Sequence, residues 1–207
     1  INDYSESGFV FAPFDSEKDS YYIPLDSSTV LELAQPDFEV VPETSSLHPI
    51  DSTADHLNLV SKAIDEINTT DLEKVVLSRE FKFNLEQSNP LEIFKKLAQN
   101  YPSAFTYCWF HPQTGFWLGA SPESLLKLEG KSVSTMSLAG TQVYKSSEQV
   151  EWDTKNIEEH AFVTDYLLEV LSDYLDPIKT SGPHTLRAGE LLHLQTLVSG
   201  RLKPTHN

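Results

Sequence analysis

The four residues "HPQT" (111–114) constrain this 207-residue chain more than any other stretch. They join "AFTYCWF" to "GFWLGA", two short apolar runs rich in aromatic residues that read as strands. A parallel pair needs a crossover of a dozen or more residues, so a link this short commits the two strands to antiparallel pairing. The same logic holds at the start of the chain, where "GFVFAPF" and "SYYIPL" flank the polar turn "DSEKDS". Helical periodicity alternates with these strands. "STADHLNLVSKAIDEINT" places Leu57, Val60, Ile64 and Ile67 three and four apart, with Ser52 or Thr53 as cap. "NPLEIFKKLAQNYP" has Asn89 as cap, Pro90 in its first turn and Asn100-Tyr101-Pro102 as its stop. A long helix is predicted from about Asn156 to Leu175, and a last one over "RAGELLHLQTLVSGRL". Helices mixed with antiparallel strands indicate an α+β fold rather than a doubly wound parallel sheet.

Composition removes several classes of partner. Fifteen basic residues stand against thirty-one acidic ones, a formal charge of -16, which repels nucleic acid and anionic membranes. No run of eighteen apolar residues exists, and the chain opens at Ile1 without a visible signal peptide. The single cysteine, Cys108, lies within an apolar run and fits a reducing, cytoplasmic setting. "GASPES" and "LAGTQ" lack the glycines and the lysine of the nucleotide-binding fingerprints. Residues 1–30 read as N-terminal strands and 31–55, with three prolines, as a connecting segment before the larger remainder, 56–207.

Certain residues sit in unusual company. "LEKVVLSREFKF" (72–83) reads as a strand that begins with Lys74 on the same face as Val76 and Ser78. A solvated strand-end lysine and a functional one both fit. On the long helix, Val163, Leu167, Val170 and Tyr174 define a buried stripe, and one turn back that stripe reaches Glu159. A carboxylate there needs a compensating partner, unless it serves the helix dipole. His160 beside it lacks the HExxH spacing of a zinc site, and a hard cation such as magnesium suits carboxylates better. In "GASPES", Ser121 reads as a helix cap, Pro122 as the first helical residue, and Glu123 as either a first-turn acid or a group at a strand-to-helix mouth. Gly140 and Thr141 in "LAGT" let a ligand approach the backbone, or simply form a turn of positive φ. His193 borders the apolar side of the last predicted helix, as a half-buried histidine or a ligand contact.

Taken in order, "KVVLSR", "GASPE", "LAGT", "KNIEEHAFV" and "LLHLQTLVSG" resemble the chorismate-binding enzymes over about Leu59 to Leu202. The resemblance is nearest to isochorismate synthases, because "KVVLSR" carries Lys74 where anthranilate synthases usually have glutamine. It implies a partial chorismate-binding sandwich of antiparallel sheet and packed helices, with chorismate as substrate. It implies that water adds at C2 while the C4 hydroxyl leaves, with Lys74 as base and Glu123 as acid. Gly140, Thr141 and His193 would then lie nearest the substrate, and Glu159 would be one ligand of Mg²⁺. Aminodeoxychorismate, anthranilate or salicylate synthase chemistry stays open, as do menaquinone and siderophore pathways and a non-catalytic interaction domain. Relatives commonly place an arginine soon after "LAGT", whereas this chain reads "LAGTQVYKS" with Lys145 nearby. Relatives also continue well beyond "GRLKPTHN", so the 207-residue chain is expected to be inactive alone.

Overall fold

The computed structural model describes residues 6–31, 53–83, 89–145 and 150–204. The chain divides into two compact units, Ile1–Glu39 and Val40–Asn207. In the first, strands β1 (Gly8–Phe11) and β2 (Tyr21–Pro24) form an antiparallel hairpin, followed by a short 3-10 turn at Leu25–Ser27. Most of the predicted connecting segment, 32–52, lies outside the described residues, as does Ser52.

The second unit begins with helix α1 (Thr53–Thr69). Its predicted stripe is corrected: Val60 and Ile67 are half-buried alongside Ala63, whereas Leu57 is 62% and Ile64 53% exposed. Helix α2 (Pro90–Asn100) matches its signals closely. The Asn89 side chain accepts a hydrogen bond from the Leu91 N–H, and the helix stops at Tyr101. Strands β3 (Phe105–His111) and β4 (Gly115–Ser121) pair antiparallel as the short link demands, with Trp109 buried and its indole N–H donating to Thr114 Oγ1 at 2.9 Å. Cys108, in β3, is half-buried and forms no disulfide.

The largest assembly is a four-stranded antiparallel sheet in the order β5-β6-β8-β7. Its strands are β5 (Lys127–Glu129), β6 (Ser132–Val143), β7 (Leu175–Ala188) and β8 (Leu191–Leu202). Between β6 and β7 runs helix α3 (Thr154–Ser172), capped by Asp153, whose carboxylate accepts from the Asn156 N–H at 2.8 Å. α3 covers one face of the sheet. The core beneath it alternates with period two: Val133, Thr135 and Ser137 on β6; Leu192, Leu194, Thr196 and Val198 on β8.

Three predicted elements are corrected. The last helix is instead strand β8, because the buried set 192, 194, 196 and 198 has the period of a pleat rather than of a helix. The preceding β7 had no predicted counterpart. The strand predicted over 72–83 is irregular backbone, apart from an isolated bridge at Lys82. Its residues suit a strand, but among the described residues no neighbouring strand supplies a ladder for their N–H and C=O groups. "SPES" starts no helix: the Ser121 hydroxyl accepts from the Glu123 N–H and donates to the Glu123 carbonyl, closing a turn between β4 and β5.

Candidate active site

Gly140 organises the site. It sits in a β-bulge, where the register of β6 on β8 shifts between Ala139 and Thr141, with φ of 76°. A side chain at that φ is strained, and a Cβ there would also meet the Asn156 carbonyl at 3.2 Å. The bulge therefore admits the first turn of α3 close to the strand. The Thr141 N–H donates to Asn156 Oδ1 at 3.2 Å, which fixes that approach.

Two clusters flank the bulge. In one, Thr141 lies opposite His193 on β8, and its hydroxyl is 3.1 Å from His193 Nδ1. Glu123 lies close enough to His193 to feel its charge. Partial burial pushes the Glu123 carboxyl above the usual carboxylate range, although the residue as a whole remains exposed, and His193 pulls it back down. A raised carboxyl keeps its proton to higher pH, as a general acid requires. His193 also lines a cleft of about 1020 Å³ between the 100–104 segment, the β4 end and the β7–β8 turn.

In the other cluster, Lys74 Nζ lies 3.4 Å from Glu159 Oε1 and 3.4 Å from the Glu159 backbone carbonyl. Lys155, one turn earlier on α3, approaches the other carboxylate oxygen at 3.6 Å. α3 starts at Thr154, so Glu159 lies beyond the first turn and outside the reach of the dipole explanation. Its compensating partner is lysine. The predicted stripe is right for Val163 and Leu167, which are half-buried with Glu159, but Val170 and Tyr174 are exposed.

His160, set aside as a metal ligand on spacing, is the most buried residue of α3 at 4% exposure. Its Nε2 lies 2.8 Å from Thr196 Oγ1 and 3.4 Å from Ser137 Oγ, so it pins the helix to both central strands. Burial pushes its pKa down, the Ala139 carbonyl pushes it up, and Lys74 pushes it down again. Nδ1 itself is buried without a partner in hydrogen-bonding geometry. The role of His160 and the Asn156 anchor were both missed in the sequence. Their signal was the spacing 156, 160, 163, 164 and 167, which runs along the inward side of α3.

Magnesium does not fit the described residues by themselves. Among them no group of three or more His, Cys, Asp or Glu side chains could hold a metal ion, and Glu159 offers a single carboxylate already met by two lysines. No described helix is long and apolar enough to cross a membrane.

Comparison with known proteins agrees with this architecture. DhbC of Bacillus anthracis superposes with a TM-score of 0.75 at 22% identity, over 98% of this chain and 56% of that one, a likeness of fold. Isochorismate synthase EntC of Escherichia coli K12 is 28% identical over 160 residues, 72% of this chain and 41% of EntC. Anthranilate synthase component 1 of Streptomyces coelicolor is 29% identical over 157 residues, 69% of this chain and 30% of that protein. The chain thus spans less than half the length of these curated relatives. The sequence profile of the family described as chorismate binding enzyme matches residues 26–207. With most of its length inside that profile, the chain belongs to the chorismate-binding enzymes.

Proposed function

We propose that this chain supplies the acid–base half of an isochorismate synthase, which adds water at C2 of chorismate and expels the C4 hydroxyl. The observation that carries the reading is the meeting of Lys74 with α3. A lysine from an irregular segment reaches a helix 85 residues away and ends 3.4 Å from Glu159, beside the bulge that presents Thr141. Lys74 would take a proton from the attacking water, and Glu123 would give one to the departing hydroxyl, so the reaction consumes and regenerates one proton. For this Lys74 must leave its ion pair and give up its own proton, so that it is neutral when water approaches. Gly140, Thr141 and His193 would line the substrate, with the His193 ring steadied by the Thr141 hydroxyl. Glu159 is proposed as one ligand of magnesium, to be joined by oxygen ligands that the described residues do not supply.

A transfer of ammonia instead of water is the second reading, favoured by the similarity to anthranilate synthase component 1. The two separate on product. Chorismate and magnesium are supplied with and without ammonia, to the protein as its gene encodes it and to Lys74→Ala. Isochorismate formed by the parent in both conditions and lost in Lys74→Ala is the expected result. An aminated product appearing only with ammonia, or undiminished turnover in Lys74→Ala, would remove the proposal. Lys74→Gln is the sharper variant, since it keeps much of the stem and the hydrogen bonding but cannot act as base. The 207-residue chain alone should show no sustained conversion, and a rate typical of an enzyme would contradict that.

A further inference from the structure

The register of the four-stranded sheet aligns a polar row that the proposed chemistry does not use. Lys127 on β5 faces Ser134 on β6, Ser134 faces Ser199 on β8, and Ser199 faces Lys179 on β7. Directly paired residues share a face, so the row Lys-Ser-Ser-Lys crosses the sheet on one side. That side is opposite α3, whose face carries Val133, Thr135 and Val198. Two residues further along β8, on the same side, stands Arg201. These residues line a depression of about 390 Å³.

The charge of the depression runs against the chain. Three cations and one carboxylate, Glu129, gather there on a protein of formal charge -16. Glu129 is paired with Lys127 at 3.0 Å. Among the described residues, Lys179 and Arg201 have no acidic partner, and the Ser134 and Ser199 hydroxyls have no hydrogen-bond partner. Edge protection explains lysines on β5 and β7, which are the outer strands of the sheet. It does not by itself account for Arg201, the penultimate residue of the inner strand β8, which pairs with Ser132 on β6 and lies at the register shift on the β7 side. A guanidinium fork, an ammonium and two hydroxyl donors around one hollow match the acceptors of a tetrahedral oxyanion.

We propose that this depression binds a phosphate group, free or carried on a small metabolite. It is a separate site from that of His193, roughly 20 Å away along β8. The ligand would rest over Ser134 and Ser199, with Arg201 donating two parallel hydrogen bonds and Lys179 closing from the edge. The inference stands or falls without the isochorismate synthase reading, because its test needs no turnover.

Inorganic phosphate is titrated into the 207-residue chain at constant ionic strength and followed by amide NMR, with chloride as the comparison anion. The expected result is a saturable response centred on Ser199, Arg201 and Lys179. Arg201→Gln and Lys179→Gln should each weaken binding roughly tenfold or more, the usual scale for losing a charged hydrogen-bond donor. Lys18→Gln, on the hairpin unit, should leave it unchanged. Phenyl phosphate in a parallel titration separates a carried phosphate from the free ion, and saturation by either supports the site. A response that is linear, equal with chloride, or undiminished in both Arg201→Gln and Lys179→Gln would overturn it.

Discussion

Residues 72–83 and strand β8 are written in similar letters yet reach different states. Both mix β-branched or apolar residues with single polar ones. β8 is hydrogen-bonded on both sides, to β6 and β7, and its inward residues Leu192, Leu194 and Val198 lie buried under α3. The 72–83 segment has no such neighbours among the described residues, and Val76 is 81% exposed. Composition makes a segment eligible to be a strand, but a continuous ladder makes it one: among the described residues 72–83 shows only the isolated bridge at Lys82, whereas β8 is laddered to two strands. The difference also divides the candidate site. Thr141 and His193 rest on the rigid sheet, whereas Lys74 is positioned by side-chain contact from a segment with few buried contacts, the kind of region that opens at low cost.

The contrast is broken most directly by truncating one residue from each region. Leu194→Ala should destabilise the chain by about 2–5 kcal/mol, the range for a buried leucine, whereas Val76→Ala should stay within about 0.5 kcal/mol. Denaturant midpoints of the two variants decide it, and equal shifts would mean that the 72–83 segment is packed after all.

Gly140→Ala probes the junction between the regions. A left-handed φ costs a non-glycine residue about 1–2 kcal/mol, and the Asn156 carbonyl must also give way. The expected result is a loss of that order together with a moved His193 ring resonance. Parent-like stability would mean that the bulge can be rebuilt without a glycine.

Acid sharpens the comparison on the sheet side. His160 is held neutral in the fold with a lowered pKa, while the unfolded chain protonates it near the ordinary histidine value. Between the folded pKa and about 6.5 the unfolded state binds more protons, so stability falls as pH drops through that window. His160→Gln should flatten this slope, and a slope unchanged in the variant would assign it to other groups.

Lys74→Gln should also have only a small effect on folding. Its ion pair with Glu159 is partly exposed, 23% and 34% for the two side chains, and pairs of this kind contribute about 0–1 kcal/mol. A loss larger than that would make Lys74 a structural anchor on α3 rather than a group positioned for chemistry.

Legibility followed the range of the forces involved. The Asn89 cap, the β3–β4 hairpin and the existence of α3 were visible because each depends on residues close in sequence, although the helix ends at Ser172 and Leu175, its predicted end, opens β7. β8 was misread because "LLHLQTLVSG" offers apolar residues at both two- and three-residue spacings, and only burial under α3 selects the former. The order of the site motifs pointed to Lys74, Glu123, Gly140, Thr141, Glu159 and His193. It did not show that they fall into two clusters joined through Asn156.

The sequence by itself determined the antiparallel character of the chain, its acidic surface and the motif order that marks the chorismate-binding family. These are properties of composition, short links and spacing. Only the tertiary structure decided which apolar runs became strands, that Glu159 meets lysines rather than a helix dipole, and that His160 is a buried anchor. Each of those depends on what lies across a gap of tens of residues. A β-ladder, an ion pair and a buried hydrogen bond all take their energy from partners that local sequence does not name.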